Sequence, residues 1–270
     1  MKILATERNL NSETPLAFVK AGHDFFAPKE EIPGVHEFDH SALIQTIKDL
    51  KPDILMVGLK FQIDKEILDL GVKAVFTRTT GLDHIDTEYA KEKGIEVLSL
   101  RGEDLSEIVA TAEWTFLNMG MLLRKTGHEL KGKNLGLIGS RGRIASLMDR
   151  YAVAFKMNIY YYDKDDSPER LNELFAQSDI VSLHITADEN NRNWMDIGKF
   201  SHMKRGSWFL NSSRDWLVDK SGLAWALASG VLAGAWSDFP EHQGGKTMES
   251  SIATEKIIVQ KIFDYAKGKI

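Results

Sequence analysis

The sequence predicts an α/β protein with parallel sheets, divided into two domains. Short apolar runs alternate with helical patterns along most of the 270 residues, and strands that alternate with helices are typical of a parallel sheet. A chain of this length exceeds what one hydrophobic core usually serves, which predicts two domains. One segment, 133–163, reads as a complete strand–turn–helix–strand unit with glycines in its turn and an acid at its end.

Residues 1–95 are expected to form an α/β domain of their own. Within them, the segment Gly22–Glu37 contains Pro28 and Pro33 and is expected to be a loop. The predicted strands are Lys2–Ala5, Pro52–Val57, Ala74–Thr77 and Gly94–Leu100, and the predicted helices are Ser41–Leu50 and Lys65–Leu70.

The longest helical pattern in the chain is Ser106–Lys125. Its first apolar stripe contains Ile108, Ala112, Phe116, Met119 and Leu123, and its second contains Trp114, Leu117 and Met121. A helix that is apolar on two faces is expected to be buried on both. Packing on a second subunit and a position between the two domains explain the second face equally well.

The segment 133–163 has the order of a dinucleotide-binding βαβ unit. Its strands are Asn134–Ile138 and Asn158–Tyr162, and the turn between the first strand and the helix reads GSRGRIA. Glycines let the backbone approach a pyrophosphate at the helix N-terminus, and an acid after the second strand binds ribose hydroxyls. Asp163 takes that place and favours NAD over NADP, although Lys164 stands beside it.

The glycine spacing departs from the usual fingerprint, because it reads G-x-x-G-x-x-A with Ala145 in the third place. An ordinary strand–helix–strand unit is the alternative, but the turn, the helix and the terminal acid together favour a nucleotide site. The cofactor-binding residues predicted from this unit are Gly139, Arg141, Gly142, Arg143, Ile144 and Asp163.

The remaining chain continues the α/β pattern. We expect strands at Ile180–Ile185, Ser207–Leu210 and Val231–Trp236, and helices at Gly222–Ser229 and Glu249–Lys267. The last helix is amphipathic and is expected to pack back on the rest of the protein.

The composition of the chain argues against several classes of function. A net charge of −5 gives no reason to expect binding to nucleic acid or to an anionic membrane. The absence of cysteine excludes disulfides, thiol nucleophiles and cysteine-ligated metals, and no metal site is predicted. Without a signal peptide or a membrane-spanning run, we expect a cytoplasmic protein.

Four blocks of the chain resemble the D-2-hydroxyacid dehydrogenase family. They are TRTTGLDHID at 77–86, TAEWTFLNMGMLLR at 111–124, the nucleotide unit at 132–163, and NSSRDWLVD at 211–219 continued by LAGAWSD at 232–238. The resemblance implies two Rossmann-like or flavodoxin-like domains, with the nucleotide domain inserted into the substrate domain. It places the substrate domain at 1–100 plus 246–270 and the NAD-binding domain at 101–245. It also favours a homodimer.

The same resemblance assigns the catalytic residues. Arg214 matches the family's arginine, whose guanidinium grips a carboxylate, and His242, in PEHQGG, matches the catalytic histidine that acts as general acid. The segment that carries the family's catalytic glutamate is missing, so Glu241 is the remaining candidate, and its relay to His242 would need a turn. Otherwise the acid partner comes from elsewhere or the relay is lost.

The resemblance also assigns residues to the binding of substrate and cofactor. The loop Gly58, Leu59 and Lys60 and the nearby Arg78 are the candidate substrate-binding residues, and Asp238 matches the aspartate that binds the nicotinamide carboxamide. His184 matches a histidine near the cofactor and is interpreted as structural. Asp215 stands where the family has glycine, and it adds a negative charge beside Arg214.

Three functions follow from these residues. The first is an NAD-dependent oxidoreductase acting on a small D-2-hydroxy acid or 2-oxo acid. The second is a dehydrogenase-like protein that binds NAD but is catalytically impaired by the missing segment and Asp215, with a sensing or scaffolding role. A methyltransferase comes last, because it accounts neither for the Arg214 block nor for the N-terminal domain.

Overall fold

The computed structural model describes residues 1–6, 10–11, 13–27, 39–240 and 242–270, and for Glu189 the backbone alone. The chain divides into two compact units. The first consists of Met1–Ile108 together with Met248–Ile270, and the second of Val109–Thr247. In the order of the sequence, the second unit is therefore inserted into the first.

In its described residues the first unit has a five-stranded, fully parallel sheet in the order β2-β1-β3-β4-β5. The strands are β1 (Lys2–Ala5), β2 (Asp24–Phe26), β3 (Ile54–Val57), β4 (Ala74–Thr77) and β5 (Glu96–Leu98). The helices are α1 (Glu13–Lys20), α2 (His40–Leu50), α3 (Lys65–Leu68), α4 (Thr87–Glu92) and, from the C-terminal segment, α10 (Met248–Ala266).

The strands of the first unit carry apolar side chains on both faces of the sheet, because helices cover both faces. Successive side chains of a strand alternate between the faces of its sheet. Leu55 packs in the cluster that contains the apolar residues of α2 and α3. Its neighbours Ile54 and Met56 pack in the opposite cluster, which α1 and α10 complete. The predicted return of the C-terminal helix therefore places α10 in the core of the first unit.

The expectation of a loop at Gly22–Glu37 is wrong for Asp24–Phe26. These residues form the edge strand β2, paired in parallel with β1 through Ile3 and Phe25. Three residues give too little periodicity for prediction, so the pairing with β1 decides their conformation. Gly22, His23 and Ala27 are irregular as predicted, and residues 28–37 of the expected loop lie outside the described residues.

The second unit has a second parallel sheet, whose described strands follow the order β10-β9-β8-β6-β7. The strands are β6 (Asn134–Ile138), β7 (Asn158–Tyr162), β8 (Ile180–Leu183), β9 (Ser207–Asn211) and β10 (Leu232–Ser237). The helices are α5 (Ala110–Lys125), α6 (Arg143–Ala154), α7 (Pro168–Gln177), α8 (Ile197–Ser201) and α9 (Lys220–Ala228). Helices α1, α4, α7 and α8 were not among the predicted elements.

Both sheets share one topology. If the strands of each unit are numbered in chain order, both sheets read 2-1-3-4-5, the flavodoxin-like order. Ligands of such sheets bind outside the carboxyl ends of the strands, at the point where the order reverses. This switch point lies between β1 and β3 in the first unit and between β6 and β8 in the second.

Helix α5 begins at Ala110, four residues later than predicted. Its first stripe is buried, with Ala112, Met119 and Leu123 at most 2% exposed. The second stripe is half-buried at Trp114 and exposed further along the helix, since Leu117 is 60% exposed and Met121 is 51% exposed.

In the described part of the chain, no helix combines the length and hydropathy required to cross a membrane. The same residues contain no cluster of three or more histidine, aspartate or glutamate side chains arranged to hold a metal ion.

Candidate active site

The predicted site residues of the second unit follow the carboxyl ends of its strands. Gly139 follows β6, Asp163 follows β7, His184 follows β8, Arg214 lies just beyond β9, and Asp238 follows β10. Parallel strands end at one edge of the sheet, which brings these five positions to the edge where α/β proteins bind ligands.

The turn after β6 needs its glycines. Gly139 has φ +80°, and a Cβ atom there would lie 2.8 Å from the backbone carbonyl carbon and oxygen of His184. Gly142 donates its N–H to the carbonyl of Gly139 over 3.0 Å, and a Cβ on Gly142 would lie 3.1 Å from the same oxygen. A side chain is therefore excluded at Gly139 and would be tightly packed at Gly142.

Helix α6 starts directly after this turn, and among the described residues no side-chain hydrogen bond caps its N-terminus at Gly142. The first N–H groups of a helix have no acceptor within the helix itself. Such a terminus binds phosphate. Burial lowers the pKa of Arg143, whereas Arg141 is exposed and donates to Asp165 over 2.8 Å. The turn thus fits a pyrophosphate. Of the two arginines, Arg143 is the one that begins α6.

Asp163 ties the end of β7 to the glycine turn. One carboxylate oxygen accepts the backbone N–H of Arg141 over 2.9 Å, and the other accepts that of Lys164 over 2.9 Å. Each oxygen has a second lone pair left for a ribose hydroxyl. Ala145, in the third place of the motif, is fully buried, as close packing of helix on strand requires. These features fit NAD.

His184 directly follows β8. Its ring lies between the hydroxyl groups of Ser182 and Ser212, at 2.9 and 3.2 Å. Burial lowers the pKa of His184 to about 3, so the ring is neutral.

Arg214 is carried by a turn that Asn211 holds. The buried Asn211 side chain accepts the N–H of Ser213 and donates to the carbonyl of Arg214, each over 2.9 Å. The Arg214 guanidinium donates to the carbonyl of Ser213 and lies 6.0 Å from the centroid of the Phe239 ring. The neighbouring Asp215 forms an ion pair with Lys220 at 2.9 Å, which offsets the extra charge beside Arg214.

The segment after β10 is a compact turn that brings His242 back to Asp238. His242 adopts φ +45°, and its backbone N–H donates to the carbonyl of Asp238. Its Nδ1 lies 3.2 Å from Oδ2 of Asp238, although the alignment falls short of a linear hydrogen bond. The imidazole stacks on Phe239 with ring centroids 4.7 Å apart. Arg214 and His242 therefore contact the same aromatic ring.

Asp238 is buried and surrounded by donors. Its Oδ1 accepts from the Trp114 indole over 3.0 Å and from the backbone N–H of Gln243 over 3.0 Å, and Gly244 N–H reaches both oxygens. Burial would raise the pKa of Asp238, but the nearby His242 ring and the N–H groups of Gly244 and Gln243 outweigh it and hold the pKa below its ordinary value. Asp238 is a charged carboxylate.

Sequence reasoning missed two residues of this region. The sequence places Trp114 in an apolar stripe, yet its indole N–H binds Asp238. A half-buried tryptophan usually needs a hydrogen-bond acceptor, and this requirement is the signal from which the contact could have been predicted. Phe239 gave no signal beyond its place between Asp238 and His242. Glu241, the candidate acid partner, lies outside the described residues.

The candidate substrate residues of the first unit lie at strand ends of its own sheet. Gly58 and Leu59 follow β3 at the switch point, and Lys60 is exposed with its ammonium 5.8 Å from the Phe61 ring. Their role in substrate binding stays a prediction.

Arg78, just beyond β4, is engaged by a buried acid of the same unit. Its guanidinium lies 3.4 Å from the carboxylate of Glu255 on α10, which is 2% exposed. Both Glu255 oxygens also accept the N–H of Asn11 over 3.0 Å. Arg78 therefore has a structural contact, and its predicted contact with substrate stays a prediction.

The fold and the second-unit site together define a nucleotide-dependent enzyme of the α/β class. The family model "D-isomer specific 2-hydroxyacid dehydrogenase, NAD binding domain" matches residues 86–260. The chain belongs to the D-isomer specific 2-hydroxyacid dehydrogenase family.

Similar proteins span most of the chain. A hydroxypyruvate reductase of Thermotoga maritima is 30% identical over 235 residues, 78% of this chain and 76% of its own. A glyoxylate reductase of Thermococcus litoralis is 27% identical over 281 residues, 84% of each chain. In fold, the chain resembles NAD⁺-bound 3-phosphoglycerate dehydrogenase of Entamoeba histolytica, with TM-score 0.85, 23% identity and coverage of 100% of this chain and 96% of that one.

Proposed function

We propose that this protein reduces small 2-oxo acids, of the size of glyoxylate and hydroxypyruvate, to D-2-hydroxy acids. It is an NAD-dependent oxidoreductase of its family. The substrate size rests on the two relatives named a hydroxypyruvate reductase and a glyoxylate reductase, each matched over more than three quarters of its length.

One observation carries the proposal. Arg214 and His242 contact the same Phe239 ring, at the carboxyl edge of the sheet that also bears the glycine turn. The guanidinium grips the substrate carboxylate and polarises the 2-oxo group, and the imidazolium donates the proton that the new hydroxyl needs. NADH, when bound at Gly139, Gly142 and Asp163, supplies the hydride.

The alternative of a catalytically impaired protein is not favoured. It rested on the charge of Asp215 and on the loss of an acid partner for His242. Asp215 pairs with Lys220, and His242 lies beside Asp238.

NADH oxidation with pyruvate, glyoxylate, hydroxypyruvate and bulkier 2-oxo acids tests the function. We expect turnover with the small acids, and a fall of about 10²–10⁴-fold in kcat for His242→Ala because the proton donor is lost. Arg214→Ala should lower kcat/KM by at least about 10²-fold, with partial recovery in Arg214→Lys.

His202→Ala is the matched control, since His202 is exposed and bonds Asn172. It should retain wild-type turnover. NADH binding without turnover across the whole panel would refute the proposed function.

We also propose that the protein is a homodimer that forms through its second unit. Helix α5 leaves Leu117 and Met121 exposed, and at the end of α6 Val153 and Phe155 are 61% and 53% exposed. The two helices pack on each other, since the rings of Phe116 and Phe155 lie 5.1 Å apart. Exposed large apolar side chains on neighbouring helices are typical of a protein interface. A cytoplasmic location stays a prediction.

Leu117→Glu tests the dimer by light scattering. Placing a carboxylate in an apolar interface is costly, so we expect the mass of a monomer at concentrations where the wild type is a dimer. Val19→Glu, at the same 60% exposure on α1, is the control and should leave the mass unchanged. A wild-type monomer would refute the proposal.

A further inference from the structure

The buried carboxylate of Asp238 has no lone pair left to aim outward. An ionised carboxylate offers about four acceptor positions. The Trp114 indole, the N–H groups of Gln243 and Gly244, and His242 Nδ1 approach them at 3.0–3.2 Å. The side chain is 1% exposed. This geometry disagrees with an aspartate that reaches out to a nicotinamide carboxamide.

His242 is held so that one of its nitrogens faces that carboxylate. Its Nδ1 is buried, whereas the His242 side chain as a whole is 27% exposed, so the exposure lies at its other atoms. The left-handed backbone conformation of His242 is unfavourable for a residue with a Cβ, and the turn maintains it. The Phe239 ring fixes the plane of the imidazole.

We propose that Asp238 is the positioning acid of His242, in place of the glutamate whose segment this chain lacks. The inference rests on the proposed function for its role in catalysis. Asp238 accepts Nδ1–H, which fixes the tautomer and orientation of the ring and leaves Nε2 as the atom that passes the proton to substrate. The 3.2 Å contact shortens when substrate binds, as catalytic hydrogen bonds commonly do.

The tautomer of His242 tests the pair without any assay of activity. Two-bond ¹H–¹⁵N spectra of the full-length protein report which imidazole nitrogen carries the proton of the neutral ring. Comparison with His242→Gln identifies the signal of this residue among the eight histidines. We expect the proton on Nδ1. A proton on Nε2, or a mixture of both forms, would overturn the proposal.

Asp238→Asn then separates the two possible roles of the aspartate. The amide can offer an N–H to Nδ1, which should move the proton of the neutral ring to Nε2. We expect kcat to fall by about 10²–10⁴-fold, with KM for the 2-oxo acid and Kd for NADH within about threefold of wild type. A rise in the Kd for NADH with an unchanged tautomer would instead assign Asp238 to the cofactor and overturn the proposal.

Two variants complete the design. Asp179→Asn removes a carboxylate that pairs with Lys204 at the opposite edge of the same sheet, and it should change neither tautomer nor kcat. Glu241→Gln should also leave the tautomer unchanged; if it alone moves the proton, Glu241 is the partner and the proposal falls. Wild-type protein with the Nδ1–H form but no turnover would refute the proposed function and leave the Asp238–His242 pair standing.

Discussion

The turn after β6 and the loop after β10 lie at the same edge of the second sheet, and they are built in different ways. The turn after β6 depends on its backbone, because Gly139 leaves no room for a Cβ atom and Gly142 leaves little. The loop after β10 is organised by one buried side chain, Asp238, which collects donors from its own loop and from α5. The turn after β6 depends on the absence of a side chain at Gly139, and the loop after β10 depends on the charge of Asp238.

This difference has a consequence for function. A backbone turn can be recognised from glycines close together in sequence, and it binds a ligand through N–H groups that every residue has. A loop held by a carboxylate depends on a partner over a hundred residues away, Trp114, and on an ionisation state. The two regions should therefore respond differently to substitution and to pH.

The largest effect is expected for Gly139→Ala. The new methyl would meet the His184 backbone at 2.8 Å in a left-handed conformation, so the free energy of unfolding should fall by about 2–5 kcal/mol. Gly132→Ala, with φ +75° and no atom within 4 Å of its Cβ, isolates the conformational cost of about 1–2 kcal/mol. Urea denaturation measures both. Equal losses in the two variants would show that the contact with the His184 backbone adds no steric cost at Gly139.

A smaller, pH-dependent effect is expected for Asp238→Asn. Since its folded-state pKa is lowered, the carboxylate stabilises the fold above its ordinary pKa of 3.8, and this stabilisation is lost as the pH falls through the lower folded-state pKa. The variant should lose about 1–3 kcal/mol at pH 7 and approach the wild type in acid. Denaturation at several pH values measures the difference, and a gap that does not change with pH would contradict a charged Asp238.

The smallest effect is expected for Asp163→Ala. Losing an acceptor for the ribose should weaken NADH about tenfold, close to 1.4 kcal/mol, while NADPH loses less because the repulsion of its 2′-phosphate also disappears. Asp165→Ala is the control, since Asp165 is exposed and holds the Arg141 side chain. Fluorescence titration measures both cofactors. An equal loss for NADH and NADPH would mean that Asp163 only holds the turn through the Arg141 N–H.

The alternating α/β order, the strands β1, β4, β6 and β7 to the residue, and the positions of the glycine turn and Asp163 could all be predicted from the sequence alone. These features are local, because periodicity, turn residues and an acid at a strand end act through neighbours in the chain. Contacts between distant segments account for the rest. It made Asp24–Phe26 a strand by pairing it with β1, left Leu117 and Met121 exposed, and gave Arg78 a buried partner in Glu255.

The partner of His242 is the clearest case of a feature that the sequence left open. Three outcomes were compatible with the missing segment, since spacing along the chain does not show where a turn points its side chains. The fold brings Asp238, His242 and Phe239 together and supplies Asp238 with further donors from Gln243, Gly244 and Trp114 on α5. Burying a charge requires donors from several elements at once, and only the tertiary structure supplies them together.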